Sequence, residues 1–189
     1  MKRLKLIGLD FETFSSVNLK THGLENYVSS PDFQATVASI AERGHYTIRF
    51  DFVESGASLI RFKILIQSYL DEGYTIVAHN AGFERRVLRW MGFEDITSRV
   101  IDSAVMSRLL GAGSKLEVAS RQLTGIAKLE AGMRLIYKFA IPHEGMDRPS
   151  RAYCEQEAED WDLFGYSRAE THAFAAQCLT RRMKVIGLA

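Results

Sequence analysis

The chain has 189 residues, 24 Lys and Arg against 23 Asp and Glu, and a formal net charge of +1. That balance argues against a strongly basic protein that coats duplex nucleic acid, and leaves open an enzyme with a small nucleic-acid footprint. With 47% hydrophobic and 25% charged residues, three prolines and no repeat, charge block or low-complexity tract, the sequence reads as one soluble domain over 1–189.

Cys154 and Cys178 have neither a zinc spacing nor the look of a disulfide framework, which points to a reducing cytoplasm. The apolar run before Asp10 is too short for a signal peptide, and no stretch approaches a membrane span.

In chain order, the apolar run Leu4–Leu9 predicts a central strand buried on both faces and ending near Asp10. "ATVASIA" (35–41) and "HYTIRFDFV" (45–53) predict two antiparallel strands around a turn at Gly44, the second half-buried with Arg49 and Asp51 on its polar side. Leu59, Phe62, Ile66 and Tyr69 recur at helical spacing. "YTIVAHN" (74–80) reads as a short buried strand, and "FERRVLRWMG" (83–92) as a helix closed by Gly92.

A short strand at 99–102 and helices near 103–110 and 115–124 follow, then a Pro- and Gly-containing loop over 140–150 and helix from about 150 onward. The order predicts an α/β fold with a mixed sheet, three antiparallel strands first and parallel strands after. Polar residues gather at the strand ends, where such sheets place ligands.

"GLDFETF" (8–14) holds the chemistry of interest. Residues two apart on a strand share a face, so Asp10 and Glu12 converge, and converging carboxylates repel unless a proton or cation separates them. Hard oxygen ligands of this kind suit magnesium or manganese, although D-x-E is common and a pair of solvated strand-end acids is the plainer alternative. Glu84, in "AHNAGFE" (78–84), falls in the first turn of a helix, where the dipole favours an anion whether or not it serves a site. Asn80 is read as a helix cap or a substrate contact, and His79 as a packing histidine.

"DFET" near the N-terminus, "HNAGFE" about 70 residues later and a late Tyr-x-x-x-acid on a helix together resemble the proofreading 3'→5' exonucleases of the DnaQ-like DEDD group. The resemblance is closest to the exonuclease domain of bacteriophage family A DNA polymerases. It extends through "GLDFETFSSVNLKTHGLENYVSSPDFQATVASIA" (8–41) and "VIDSAVMSRLLGAGSKLEVASRQLTGIAKLEAGMRLI" (100–136). It implies an RNase H-like fold and the tyrosine variant of the group, because Gly165 and Ala152 stand where the histidine variant carries its His.

Two segments match the third motif: "YCEQE" offers Tyr153 and Glu157, "YSRAE" offers Tyr166 and Glu170. The first has the more familiar local wording. The flanks, "EDWDLFGYSRAETHAF", favour the second. Glutamate in both the second and third motifs departs from the group's usual aspartate. The extra methylene moves a carboxylate by about a bond length, and a displacement near 1 Å at an active site can cost on the order of 100-fold.

The implied reaction is hydrolysis at a DNA 3' end to nucleoside 5'-monophosphates, with two divalent ions, Mg2+ or Mn2+, about 3.5–4 Å apart. By resemblance Asp10, Glu12, Glu84 and Glu170 are the metal ligands, with Asp10 shared. Tyr166 orients the attacking water, and Phe11, Thr13, Asn80 and Phe83 are candidate contacts to a single-stranded or frayed end. Core packing is the alternative for Phe11, Thr13 and Phe83.

The expected partners are that 3' end and a separately encoded DNA polymerase, with no membrane. A degenerate module that binds DNA ends or a polymerase, and a 3'→5' exoribonuclease or oligonucleotide hydrolase, are the competing readings.

Overall fold

A computed structural model describes residues 5–42, 47–53, 55–125, 131–144, 146, 148–162 and 164. Along them run β1 (Leu6–Phe14), α1 (Leu19–Val28), β2 (Gln34–Glu42), β3 (Thr47–Asp51), α2 (Gly56–Asp71), β4 (Thr75–Ala78) and α3 (Gly82–Trp90). Then come β5 (Val100–Asp102), α4 (Ser103–Leu109), α5 (Leu116–Thr124), α6 (Ala131–Phe139) and α7 (Arg151–Gln156). The turn expected at Gly44 and the predicted C-terminal helix, with Tyr166 and Glu170, lie outside the described residues.

The strands form one five-stranded mixed sheet in the order β3-β2-β1-β4-β5. β2 is antiparallel to both β1 and β3, whereas β4 is parallel to both β1 and β5. This mixed α/β arrangement, antiparallel strands first and parallel ones after, matches the sequence pattern.

Helices cover both faces, and the alternation along the strands decides what each face receives. Ile7, Leu9 and Phe11 of β1 and Ala38 and Ile40 of β2 join one apolar core with Tyr27 and Val28 of α1, Phe62 and Ile66 of α2, and Val87 and Leu88 of α3. Phe62 anchors it, edge-on to Phe11, Phe50 and Phe52 at ring separations of 5.4–5.5 Å. Val37, on the opposite face, packs with Leu135 and Phe139 of α6 and with Cys154, Trp161 and Phe164.

β1 is longer than its apolar run. It continues through Asp10 and Glu12 to Phe14 because β2 pairs with it as far as Gln34. The two acids therefore sit within the strand and not at its end. A bulge between Glu12 and Thr13 marks the pairing, and Thr36 donates its hydroxyl proton to the Glu12 carbonyl at 3.0 Å.

β3 departs from the expected half-buried strand. Arg49 and Asp51, assigned to its polar side, have side chains only 13% and 11% exposed. The layer containing α7 covers them. Trp161 donates its indole N–H to Asp51, Arg49 donates to the Trp161 carbonyl at 3.2 Å, and the guanidinium lies 5.5 Å from that ring's centre. Arg49 and Asp51 also pair at 3.4 Å. Burial pushes the Cys154 thiol beneath this cluster up to about 12, with the charge of Asp51 adding to the effect.

Helix α1 has no strong apolar stripe. It is started by Asn18, whose side chain accepts from the Lys20 and Thr21 N–H groups, and it is kinked at Gly23, where φ is +79°.

Replacing Trp161 by Phe should cost about 1–3 kcal/mol, because it strips a donor from the mostly covered Asp51 and leaves part of the indole's space unfilled. Urea unfolding followed by circular dichroism measures the loss. An unchanged midpoint would show that the indole N–H contributes nothing to seating this layer.

Candidate functional site

Asp10 and Glu12 are 7% and 6% exposed. Their neighbours in sequence, Leu9 and Phe11, enter the α2-side core, so the acids face the other way. The register extends this polar face across the sheet. Asp10 lies opposite Ser39, which lies opposite Arg49, and Glu12 lies opposite Val37, which lies opposite Asp51. Val37 contributes to the cluster with α6, Trp161 and Phe164, so the acids share a face with that helical layer.

Glu84 reaches the same end of the sheet from β4. β1, β4 and β5 are parallel, and α3 begins just beyond the C-terminal end of β4. Glu84 occupies the first turn of α3, as the sequence indicates, and is only 3% exposed.

The turn before it is built by polar groups. Asn80 has φ +65°, the left-handed region that asparagine tolerates better than most residues. Its N–H donates to Asp102 Oδ1 at 3.0 Å, and the same oxygen accepts from the Ala104 N–H at 2.8 Å. The capping role considered for Asn80 is not seen: Ala81 holds the N-cap position, with no side-chain hydrogen bond. The reason is geometric, since the left-handed turn at Asn80 places the cap one residue later. His79 is a tied histidine, its Nδ1 3.0 Å from Ser103 Oγ and its Nε2 2.8 Å from the Ser114 carbonyl oxygen.

The four candidate substrate contacts separate. Phe11 is 2% exposed and packs edge-on against Phe62, on the face opposite the acids. Thr13 is buried, with its hydroxyl 2.9 Å from that of Tyr27. Phe83 is partly buried with its ring 6.2 Å from the Tyr27 ring. Asn80 is exposed at the turn.

Tyr27 thus joins β1 to the start of α3, a role the sequence pattern did not reveal because α1 lacks a clear periodic signal. Burial raises the pKa of its hydroxyl, opposed by the hydrogen bond with Thr13 and supported by the negative charges of Glu12 and Asp32.

The alternative third-motif pair is committed elsewhere. Glu157 and Asp160 both pair with Lys138 of α6, and Tyr153 packs 5.8 Å from the ring of Phe139.

In donor chemistry the buried acids fit a hard divalent cation, two carboxylates on one face of β1 and a third just beyond the end of the adjacent β4. Among the described residues, no group of three or more His, Cys, Asp or Glu side chains is placed to hold a metal ion. The fourth expected ligand, Glu170, is not among those residues. No helix among the described residues is long and apolar enough to cross a membrane.

No protein-family profile matches the chain. It is 25% identical over 166 residues to a DNA polymerase of Bacillus phage SP02, in an alignment covering 85% of this chain and 25% of that polymerase. The chain thus spans about a quarter of that relative's length.

Because the folded-state pKa of Tyr27 is raised, the unfolded chain loses this proton first as pH climbs past 10. Stability is therefore expected to fall above about pH 10. Tyr27→Phe should lessen that fall, and it should cost about 1 kcal/mol at neutral pH through loss of the Thr13 hydrogen bond. Urea midpoints at pH 7 and above pH 10 give both numbers.

Proposed function

We propose that the chain is a divalent-metal-dependent 3'→5' exonuclease of the DnaQ-like group, with an RNase H-like fold, acting on DNA 3' ends in phage-type DNA replication. The observation that carries this reading is the buried pair Asp10 and Glu12 on one face of the central strand, with Glu84 buried just beyond the end of the adjacent β4. The similarity to a phage DNA polymerase and the order of the mixed sheet support it.

Asp10, Glu12, Glu84 and Glu170 would hold Mg2+ or Mn2+. Such ions, when bound, supply charge neutralisation at the scissile phosphate and a more acidic attacking water. The protein's own share is positional. β1 presents two carboxylates at a spacing set by the strand. The Asp102-bound turn sets where Glu84 begins α3. Tyr166 holds the attacking water, and the P–O3' bond breaks to release a nucleoside 5'-monophosphate. Asn80 and Phe83 border this end of the sheet and serve the terminal nucleotide, whereas Thr13, on the strand face of Phe11, is committed to Tyr27. Glu170 is preferred to Glu157 because Glu157 is already paired with Lys138.

A second reading, a non-catalytic module that binds DNA ends or a polymerase, is favoured by the glutamates at the second and third motifs. It predicts end binding without turnover. Preference for RNA over DNA would instead indicate an exoribonuclease.

The test is release of mononucleotides from 3'-labelled single-stranded DNA in magnesium and in manganese. Asp10→Ala should lower the rate by about 100-fold or more while the circular dichroism spectrum is unchanged. Glu170→Ala should be similarly impaired and Glu157→Ala should not. A folded wild-type protein inactive in both metals refutes the enzyme reading. Loss of activity in Glu157→Ala alone transfers the third motif to Tyr153 and Glu157.

A further inference from the structure

Beyond the acids, the structure has a second concavity. A groove of about 350 Å3 is lined by Asp32, Gln34, Val53, Arg148, Ser150 and Arg151, among others. Its size lies in the range of ligand-binding pockets.

Register places it next to the acid-bearing face. Gln34 is the partner of Phe14, two residues past Glu12 on β1. Val53 follows Asp51 by two residues and packs against the cluster containing Val37, the partner of Glu12. The groove therefore borders the candidate site at the C-terminal end of β1.

Its charge is uneven. Asp32 is turned into the loop, where its carboxylate accepts from the Ser16 N–H at 2.9 Å and from the Ser30 hydroxyl. Arg151 pairs with Glu155 at 2.8 Å, in a contact where both side chains are about two-thirds exposed. Such a solvated pair contributes little to stability. Arg148 is exposed and has no hydrogen-bond or ion-pair partner among the described residues. A guanidinium with no partner among the described residues, beside a polar groove, suits a phosphodiester, whose oxygens match its donor fork.

We infer that this groove is a binding site for the phosphate backbone of a single nucleic-acid strand, with Arg148 as its anchor, on the 5' side of the end being processed. The direction assigned to the strand rests on the exonuclease reading above. The groove itself does not.

The experiment measures fluorescence anisotropy of three- and ten-nucleotide single-stranded DNA in EDTA, so that no metal or turnover contributes. Wild-type affinity should rise with strand length. Arg148→Glu should abolish most of that rise, weakening the ten-nucleotide strand about fivefold or more, and should reduce the salt slope by about 0.7, the value for one lost phosphate contact. Arg148→Lys should recover much of the affinity, and thermal melts confirm that each variant folds.

A wild-type length dependence and salt slope in Arg148→Glu overturn the proposal. Wild-type nuclease activity in manganese is measured in parallel. Active wild type with unaltered binding by Arg148→Glu removes the groove alone, whereas inactive wild type whose binding still depends on Arg148 removes the exonuclease reading alone.

Discussion

A buried carboxylate costs several kcal/mol unless its charge is stabilised, and the central strand carries two of them on one face. Much of the structure can be understood as a response to this constraint. The face opposite the acids is largely apolar, with Phe62 filling the space against Phe11 and Phe50. The acid-bearing face is polar across three strands, through Ser39, Arg49 and Asp51. A helical layer covering such a face needs polar anchors as well as apolar ones. Trp161 provides both, its ring in the Val37 cluster and its N–H on Asp51.

The same constraint acts at the strand ends. Parallel pairing sets the C-terminal ends of β4 and β5 side by side, next to the middle of β1, so one short turn after β4 decides where the third carboxylate enters its helix. That turn is held by Asp102, which accepts two backbone N–H groups, and by His79, bridged between Ser103 and Ser114. Each hydrogen bond contributes modestly by itself. Together they hold Asn80 in a left-handed conformation that a free loop would populate only in part.

Much of the fold was legible because the apolar periods are clean. The strands at 35–41, 74–80 and 99–102 and the helices at 83–92, 103–110 and 115–124 appear close to their expected bounds. Helix α1 escaped notice because its buried side is thin, with only Tyr27 and Val28 fully covered, and because Gly23 interrupts it. The extension of β1 past Asp10 escaped because hydropathy sees the charges, whereas strand pairing sees the backbone. Arg49 and Asp51 were assigned to the solvent side because alternation marks a polar face but does not say what covers it.

The sequence by itself determined the spacing of Asp10 and Glu12, and with it their common face, since the period of a strand is a property of the local backbone. It also determined that Glu84 opens a helix just after a buried strand. Only the tertiary structure decided that the acids lie within β1, that Phe11 turns away from them, and that Glu157 is occupied by Lys138. Those outcomes depend on contacts between segments far apart in the chain, and no local period encodes which distant side chain will arrive to cover a charge or claim it.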